Sequence, residues 1–509
     1  MTRAPRRDDR GCRTGGSRSR SRSRRRRDPC RGAPRYSRSR AVVCGRVGEI
    51  ELAAYERVEL RRRAASLRVL DRERLVHEKP FALGDDEGGG TRERDDAQTV
   101  HGSVHTLAAH LRGGGRMPGP LDDVRVLEVA SFISGPYAAM LLADLGAEVI
   151  KVEPPGTGDP FRGWGERQGG ERPQFAAYNR GKKSVTLDLR NDLARRTYLA
   201  LAKRADVVVE NFRPGTAERM GIGDATLREA NPRLVYCAMT GVGSSGPASH
   251  RPIYDAIGQA LSGLWSVLTD LDDPEPIGPP MSDQLTGLYA AYGILAALAA
   301  RARTGKGQRI EVSMLSASMA FLTEPLANYL LLGEVSDLRS RPRRSQSYAF
   351  VARDGKPFAI HLSSPPKFWE ALTEAVERPD LLADARFATK ADRVKRYDAL
   401  RATLEETFRT RDRAEWLARL ERCDVPAAPI NDIAEAVADP QARHIGMVRT
   451  FGSGDRARRL VGFPVAFAAT PGEPGLPPPD LGEHTTAVLA ELGYDESEVA
   501  RLRKAGAIS

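Results

Sequence analysis

The chain has 509 residues, 41% hydrophobic and 28% charged, enough to bury a large core, and its net charge of +11 first suggests a nucleic-acid partner. The distribution of charge excludes that partner: residues 1–40 hold 16 Arg against 3 Asp, residues 41–116 balance at 13 and 13, and the rest carries 49 basic against 51 acidic side chains. No run of about 18 apolar residues offers a membrane span, and five cysteines without a C-x-x-C pair fit a reducing, cytoplasmic compartment better than a disulfide framework.

Along the chain, Arg18–Arg27 reads RSRSRSRRRR, too poor in apolar groups to offset the entropy of ordering. Residues 1–116 are therefore expected to be a disordered or non-native extension, with a possible helix at Glu49–Arg74 and a plausible true start at Met117. His101, His105 and His110 lack Cys or carboxylate partners at ligand spacing, so no zinc site is expected. From Val124 the pattern changes. Val124–Val129 predicts a strand, Pro136–Leu145 a helix closed by Gly146, and Glu148–Val152 a second strand. Strand, helix and strand within about 30 residues make a βαβ unit and a parallel sheet. The rhythm continues with a strand at Ser184–Leu189, a helix at Leu193–Lys203, and strands at Asp206–Glu210 and Leu234–Met239. Valine runs such as Val207–Val209 suit strands covered on both faces. The expected fold class is α/β, a doubly wound, Rossmann-like large domain over residues 117–335.

A long helix is predicted from Asp283 to Arg301, with Leu285, Leu288, Tyr289, Tyr292, Leu295 and Leu298 at helical spacing. A turn at Gly305–Gln308 leads to the strand Arg309–Val312, and a second apolar helix spans Ser316–Leu332. After the Arg-rich linker Ser336–Ser345, residues 346–430 read as a smaller α/β domain. Residues 431–509 read as a return to the large domain, with a last helix at Glu483–Leu492.

Gly241-Val242-Gly243-Ser244-Ser245-Gly246 fits the dinucleotide pattern G-x-G-x-x-G after a strand, but Pro247 and a polar stretch follow where a helix must open. Thr304–Gln308 lacks the spacing of a phosphate-binding loop. No G-x-S-x-G elbow is present. Asp283 sits where Pro279–Ser282 gives way to the long helix. Read alone, it is a helix N-cap or a carboxylate kept ionised for nucleophilic attack by the helix terminus; position does not separate the two. Gly287 and Gly293 leave one face of that helix bare for close approach.

A set of ordered blocks then carries a resemblance. Val126–Gly158, reading VLEVASFISGPYAAMLLADLGAEVIKVEPPGTG, closely resembles the opening of class III CoA-transferases, the formyl-CoA and carnitine CoA-transferase family. Asn179–Ser184, Glu210–Gly215, Tyr254-Asp255 with Gly258–Ala260, Ser282–Gly287 and Thr304–Gln308 follow in the family's order, over roughly residues 120–495. The resemblance implies an interlocked homodimer acting on acyl-CoA and small carboxylic acids, with coenzyme A as substrate rather than a permanent cofactor and no metal. Asp283 matches the family's covalent carboxylate. Residues resembling its CoA contacts are Ile133, Ser134, Leu187, Asp188, Asn211, Phe212, Arg213, Arg219, Thr240 and Gly241. Pro154 stands where the formyl-CoA enzymes have arginine, and their glycine-rich loop has no counterpart near Ser336–Ala349. The α-methylacyl-CoA racemases of the same superfamily carry His where this chain has Tyr254, so one acid/base partner is missing for that chemistry. An inactive CoA-binding protein is the remaining alternative, weighed against by the retained Asp283.

Overall fold

The computed structural model describes residues 119–165, 172–363, 366–470, 472 and 475–509. Every described residue belongs to one compact unit. The readings made for residues 1–116, including the Glu49–Arg74 helix and the three histidines, lie outside the described residues.

Six short strands are the frame: β1 (Arg125–Glu128), β2 (Glu148–Glu153), β3 (Lys182–Thr186), β4 (Val207–Glu210), β5 (Val235–Thr240) and β6 (Arg309–Ser313). All pair parallel in the order 3-2-1-4-5-6, the order of doubly wound sheets. Alternation along each strand sends successive side chains to opposite faces. Val126, Val149, Val207, Val209, Val235 and Cys237 join one core with Ala138 and Leu142 of helix Ser134–Asp144 and Ala290 and Ile294 of helix Met281–Thr304. Leu127, Ile150, Val185, Val208 and Tyr236 join the other, with Tyr198 and Leu201 of helix Asp192–Lys203. Both faces are covered, which is why these strands read as continuous apolar runs.

The C-terminal segment completes the second face. Helices Thr485–Glu491 and Glu496–Lys504 add Val488, Leu489, Val499 and Leu502 to that core. The Thr186 N–H donates to Thr485 Oγ1 at 3.1 Å, and the His484 N–H to the Ser184 carbonyl at 2.9 Å. Residues 347–429 build a separate apolar cluster. There β7 (Ser347–Val351), β8 (Pro357–His361) and β9 (Ala427–Pro429) form an antiparallel sheet, and the rings of Phe350, Phe358, Phe408 and Trp416 pack together, tilted or edge-on, in this cluster.

Four predicted elements need correction. The third strand starts two residues earlier than expected and ends at Thr186, because Lys182 is a buried charged residue that periodicity counts as exposed. The single helix Ser316–Leu332 is two helices, Met314–Phe321 and Thr323–Leu332, broken at Leu322. The expected final helix is followed by another, and a hairpin of β10 (Val448–Phe451) and β11 (Arg458–Val461) precedes it. Finally, Met281–Thr304 is long and apolar enough, by length and composition, to cross a membrane, although its sequence is interrupted by polar residues. It packs on the sheet through Ala290, Ile294 and Ala297, as a core helix does.

Candidate active site

In a parallel sheet ligands gather at the carboxyl edge, where neighbouring strands send their chains in opposite directions. Here that place lies between β1 and β4. The two loops leaving these strands are tied together by one side chain. The Ser131 N–H donates to Asn211 Oδ1 at 3.0 Å, and Asn211 Nδ2 donates back to the Ser131 carbonyl at 2.8 Å. Between these anchors Phe132 adopts φ +64°, a left-handed conformation that a bulky side chain occupies only when its surroundings hold it there. Its N–H donates to Asp159 Oδ1 at 3.1 Å. Ser134 then opens the helix Ser134–Asp144.

Asp283 meets this helix start from the other side. It is the third residue of Met281–Thr304, whose N-cap position is Pro280, so its side chain is not the cap of its own helix. The contact depends on Gly287, one turn further on: a Cβ there would stand 2.7 Å from the Ser134 carbonyl oxygen and 2.9 Å from the Tyr137 ring. The bare helix face predicted from Gly287 is thus filled by the neighbouring helix, and the face at Gly293 by Ile310. This close packing brings the Asp283 carboxylate within reach of the Ser134 hydroxyl and N–H, which both donate to it.

The Asp283 side chain is 8% exposed. Burial, reinforced by the charge of Asp255 and opposed by Ser134, pushes its carboxyl up to about 7. Asp255 opens helix Asp255–Leu261 and accepts from the Asp283 N–H at 3.1 Å, with Gln259 Nε2 donating to its other oxygen at 2.6 Å. It therefore caps the Asp283 helix from outside while placing a second negative charge beside the first. The result is a carboxylate with few hydrogen bonds and high proton affinity, the electronic state of a good oxygen nucleophile.

Behind the Phe132 loop lies a buried ionic network. Lys151 Nζ contacts Glu128 Oε1 at 2.7 Å, the Ala130 carbonyl at 2.9 Å and Asp159 Oδ2 at 2.9 Å. Lys182 Nζ reaches Glu128 Oε2 at 2.7 Å, Asn179 Oδ1 at 2.8 Å and the Pro136 carbonyl at 2.8 Å. Glu153 takes Arg162 and Ser184. Burial opposes the ionisation of Glu153, but Arg162, Lys151 and Ser184 hold its carboxyl at about 2. Burial draws the Lys182 ammonium down to about 8 against the pull of Glu128. Three acids and three bases are enclosed together, so the network is self-neutralising and its output is geometric: Asp159 fixes Phe132.

The candidate residues all fall at the carboxyl edge of the sheet, though not in one cluster. Ser134 lies beside Asp283, Asn211 Nδ2 reaches Ser134 Oγ at 3.5 Å, and Ile133 is the residue before Ser134. Phe212 and exposed Arg213 and Arg219 follow β4, and neither arginine has a carboxylate partner among the described residues. Thr240 ends β5, its Oγ1 accepting from the Gly243 N–H, while Gly241 packs against Ile253 so closely that a Cβ would lie 2.3 Å from it. Leu187 and Asp188 directly follow β3: Leu187 is buried in the core, and the Asp188 side chain pairs with Arg190. The G-x-G-x-x-G loop opens no helix; the next one begins at Asp255. Sequence reasoning missed Asp255 as a partner of Asp283, and missed Tyr178, Gln284 and the Lys151 network. Asp255, Gln284, Lys151 and Lys182 were inside quoted blocks with no role read for them; Tyr178 carries no local signal. Among the described residues no group of His, Cys, Asp and Glu is arranged to hold a metal ion.

Residues 121–485 match the family model described as CoA-transferase family III. The chain is 36% identical over 388 residues to an acetyl-CoA:oxalate CoA-transferase of Acetobacter aceti, covering 75% of this chain and 97% of that protein. It is 36% identical to the succinyl-CoA:glutarate CoA-transferase of Mus musculus (76% and 90% covered) and 37% identical to the succinyl-CoA:mesaconate CoA-transferase of Haloarcula marismortui (74% and 97%). A solved CAIB/BAIF family protein from Brucella suis superposes with a TM-score of 0.67 at 36% identity, covering 74% of this chain and all of that one.

Proposed function

The chain belongs to CoA-transferase family III, and from that premise we propose that it transfers coenzyme A between carboxylic acids through a thioester on the Asp283 carboxyl group. The observation that supports this most is the Asp283 carboxylate itself, buried at a helix start with its proton affinity raised to about 7 and a second helix N-terminus donating to it.

The steps balance without ATP. An Asp283 oxygen attacks the thioester carbonyl carbon, the C–S bond breaks, and CoA thiolate leaves with the electron pair, giving a mixed anhydride. The thiolate then attacks the aspartyl carbonyl of the anhydride and expels the donor acid as its carboxylate. The product is an aspartyl-CoA thioester. An acceptor carboxylate attacks that carbonyl and again releases thiolate, which attacks the acceptor's acyl carbon, forms the new acyl-CoA and returns Asp283 as carboxylate. Ser134 N–H and Oγ–H stabilise the charged forms of this carboxyl group, and the bound CoA body positions the thioester. We assign CoA contacts to Ile133, Ser134, Asn211, Phe212, Arg213, Arg219, Thr240 and Gly241, with Arg213 and Arg219 toward its phosphates, and to the backbone of Leu187 and Asp188.

The named relatives act on oxalate, glutarate and mesaconate, all dicarboxylates, and the acceptor class assigned here is the same. A homodimer is part of the reading. Helix Thr323–Leu332 buries none of its residues, and Leu330, Leu331 and Leu332 stand exposed, Leu331 by 81%. With Phe321, Tyr329 and Val335 they form an apolar surface that a second copy would cover. The test of the mechanism is mass spectrometry of the Asp283 peptide after incubation with succinyl-CoA alone. A CoA adduct on Asp283 with release of succinate supports it; an unmodified Asp283 during active transfer overturns it.

A further inference from the structure

Five aromatic rings run in an unbroken line that includes Tyr178, a neighbour of Asp283, and a sixth branches from it. Ring centroids step from Tyr254 to Phe132 (6.0 Å), Phe132 to Phe161 (6.1 Å), Phe161 to Tyr178 (6.1 Å) and Tyr178 to Tyr137 (6.0 Å), with Trp164 on Phe161 at 5.3 Å. Within this wall the Tyr178 hydroxyl is held by a residue of the nucleophile's own helix. Gln284, which directly follows Asp283, donates its Nε2 to Tyr178 Oη at 3.1 Å. The amide uses an acceptor site on the oxygen, so the phenolic proton remains for donation, and it has no acceptor among the described residues. Two neighbouring rings fix the Tyr178 ring: Tyr137 packs edge-on at 90° and Phe161 tilted at 47°. Burial, the Asp283 charge and the Asp255 charge together raise the phenol above its ordinary range, so it stays protonated.

A dicarboxylic acid presents one carboxylate to the Asp283 carbonyl and leaves the other near two protein carboxylates. The distal group needs a donor there. A lysine or arginine would pair with Asp283 and lower its nucleophilicity, whereas a neutral phenol donates without neutralising it. We propose that Tyr178, oriented by Gln284, is the specificity residue that receives the distal carboxylate of a dicarboxylic acceptor. This rests on the reading of Asp283 as the covalent carrier.

The experiment compares acceptors matched in carbon number, oxalate with acetate, succinate with butyrate and glutarate with pentanoate, at fixed acyl-CoA donor. The readout is the ratio of kcat/KM for the dicarboxylate to that for its matched monocarboxylate. In Tyr178→Phe, which keeps the ring, the ratio for the preferred pair falls by about tenfold or more, chiefly through acceptor KM. Gln284→Leu lowers it in the same direction, because the hydroxyl loses its orientation. A wild-type enzyme without preference for any dicarboxylate, or a Tyr178→Phe variant that loses both acceptors equally or neither, overturns the proposal. The aspartyl-CoA adduct formed from donor alone needs no acceptor, so a missing adduct identifies failure of the Asp283 reading, separately from failure at Tyr178.

Discussion

At the residue scale, burial raises the proton affinity of Asp283 at the expense of stability. Its carboxyl binds a proton at about 7 in the folded chain, against an ordinary value of 3.8. Between those values the unfolded chain gives up the proton first, so stability falls as pH rises toward 7. Asp283→Asn is expected to be inactive and, at pH 8, more stable than wild type by ~2–4 kcal/mol, a difference that vanishes near pH 4. Thermal melts across pH check this; a destabilised Asn variant at pH 8 would contradict the electrostatic account. The nucleophilic form is lost below about 7, so kcat/KM should fall with acid below that point. Asp255 supplies the second largest cause of the shift. Asp255→Asn keeps an acceptor for the Asp283 N–H while removing the charge, and the acid limb of the profile should move down by about one pH unit. An unmoved limb would assign the shift to burial alone. The sequence placed Asp283 at a helix start but left open whether it caps that helix. The cap position belongs to Pro280, and the donors come from Ser134, about 150 residues away in the chain.

At the scale of elements, the site exists because two helices and one loop are held closer than ordinary packing allows. Gly287→Ala would push a methyl group into the Ser134 carbonyl, backbone that cannot rotate away. The expected cost is about 1–3 kcal/mol, with a larger fractional loss of activity than of folded protein as Ser134 moves off Asp283. Full activity in that variant would show that the contact is not needed. The loop is held by charge. Lys151→Met leaves Glu128 and Asp159 buried without their shared cation and should destabilise the fold by about 3–5 kcal/mol, measured by denaturant unfolding. None of this was legible from periodicity. Lys151 stands between Ile150 and Val152 in β2 and Lys182 opens β3 before Lys183, and pattern reading assigns such lysines to a solvated face. Both are fully buried.

At the scale of the whole molecule, the family match begins at residue 121 and all excess positive charge lies before residue 41. Removing residues 1–116 is expected to leave CoA transfer intact, tested by assaying the truncated chain; loss of a folded product would assign that region a structural part. The apolar helix Thr323–Leu332 carries the prediction of assembly. Leu331→Arg should convert a dimer to monomer in sedimentation, and a variant of unchanged mass would remove that helix from the interface.

The alternation of valine-rich runs with amphipathic stretches was sufficient for a parallel, doubly wound sheet, because strand and helix periods are local properties of the chain. The ordered blocks from Val126 to Gln308 were sufficient for the family, and they singled out Asp283 as the candidate carboxylate. What depended on the folded chain was everything that joins distant segments: the Asp255 charge beside Asp283, Ser134 donating across a glycine-mediated helix contact, Asn211 and Asp159 holding Phe132, and Gln284 holding Tyr178. Proton affinity, strain and hydrogen-bond direction are set by neighbours in space. Residues 27 to 149 positions apart become such neighbours only when the sheet brings its loops to one edge.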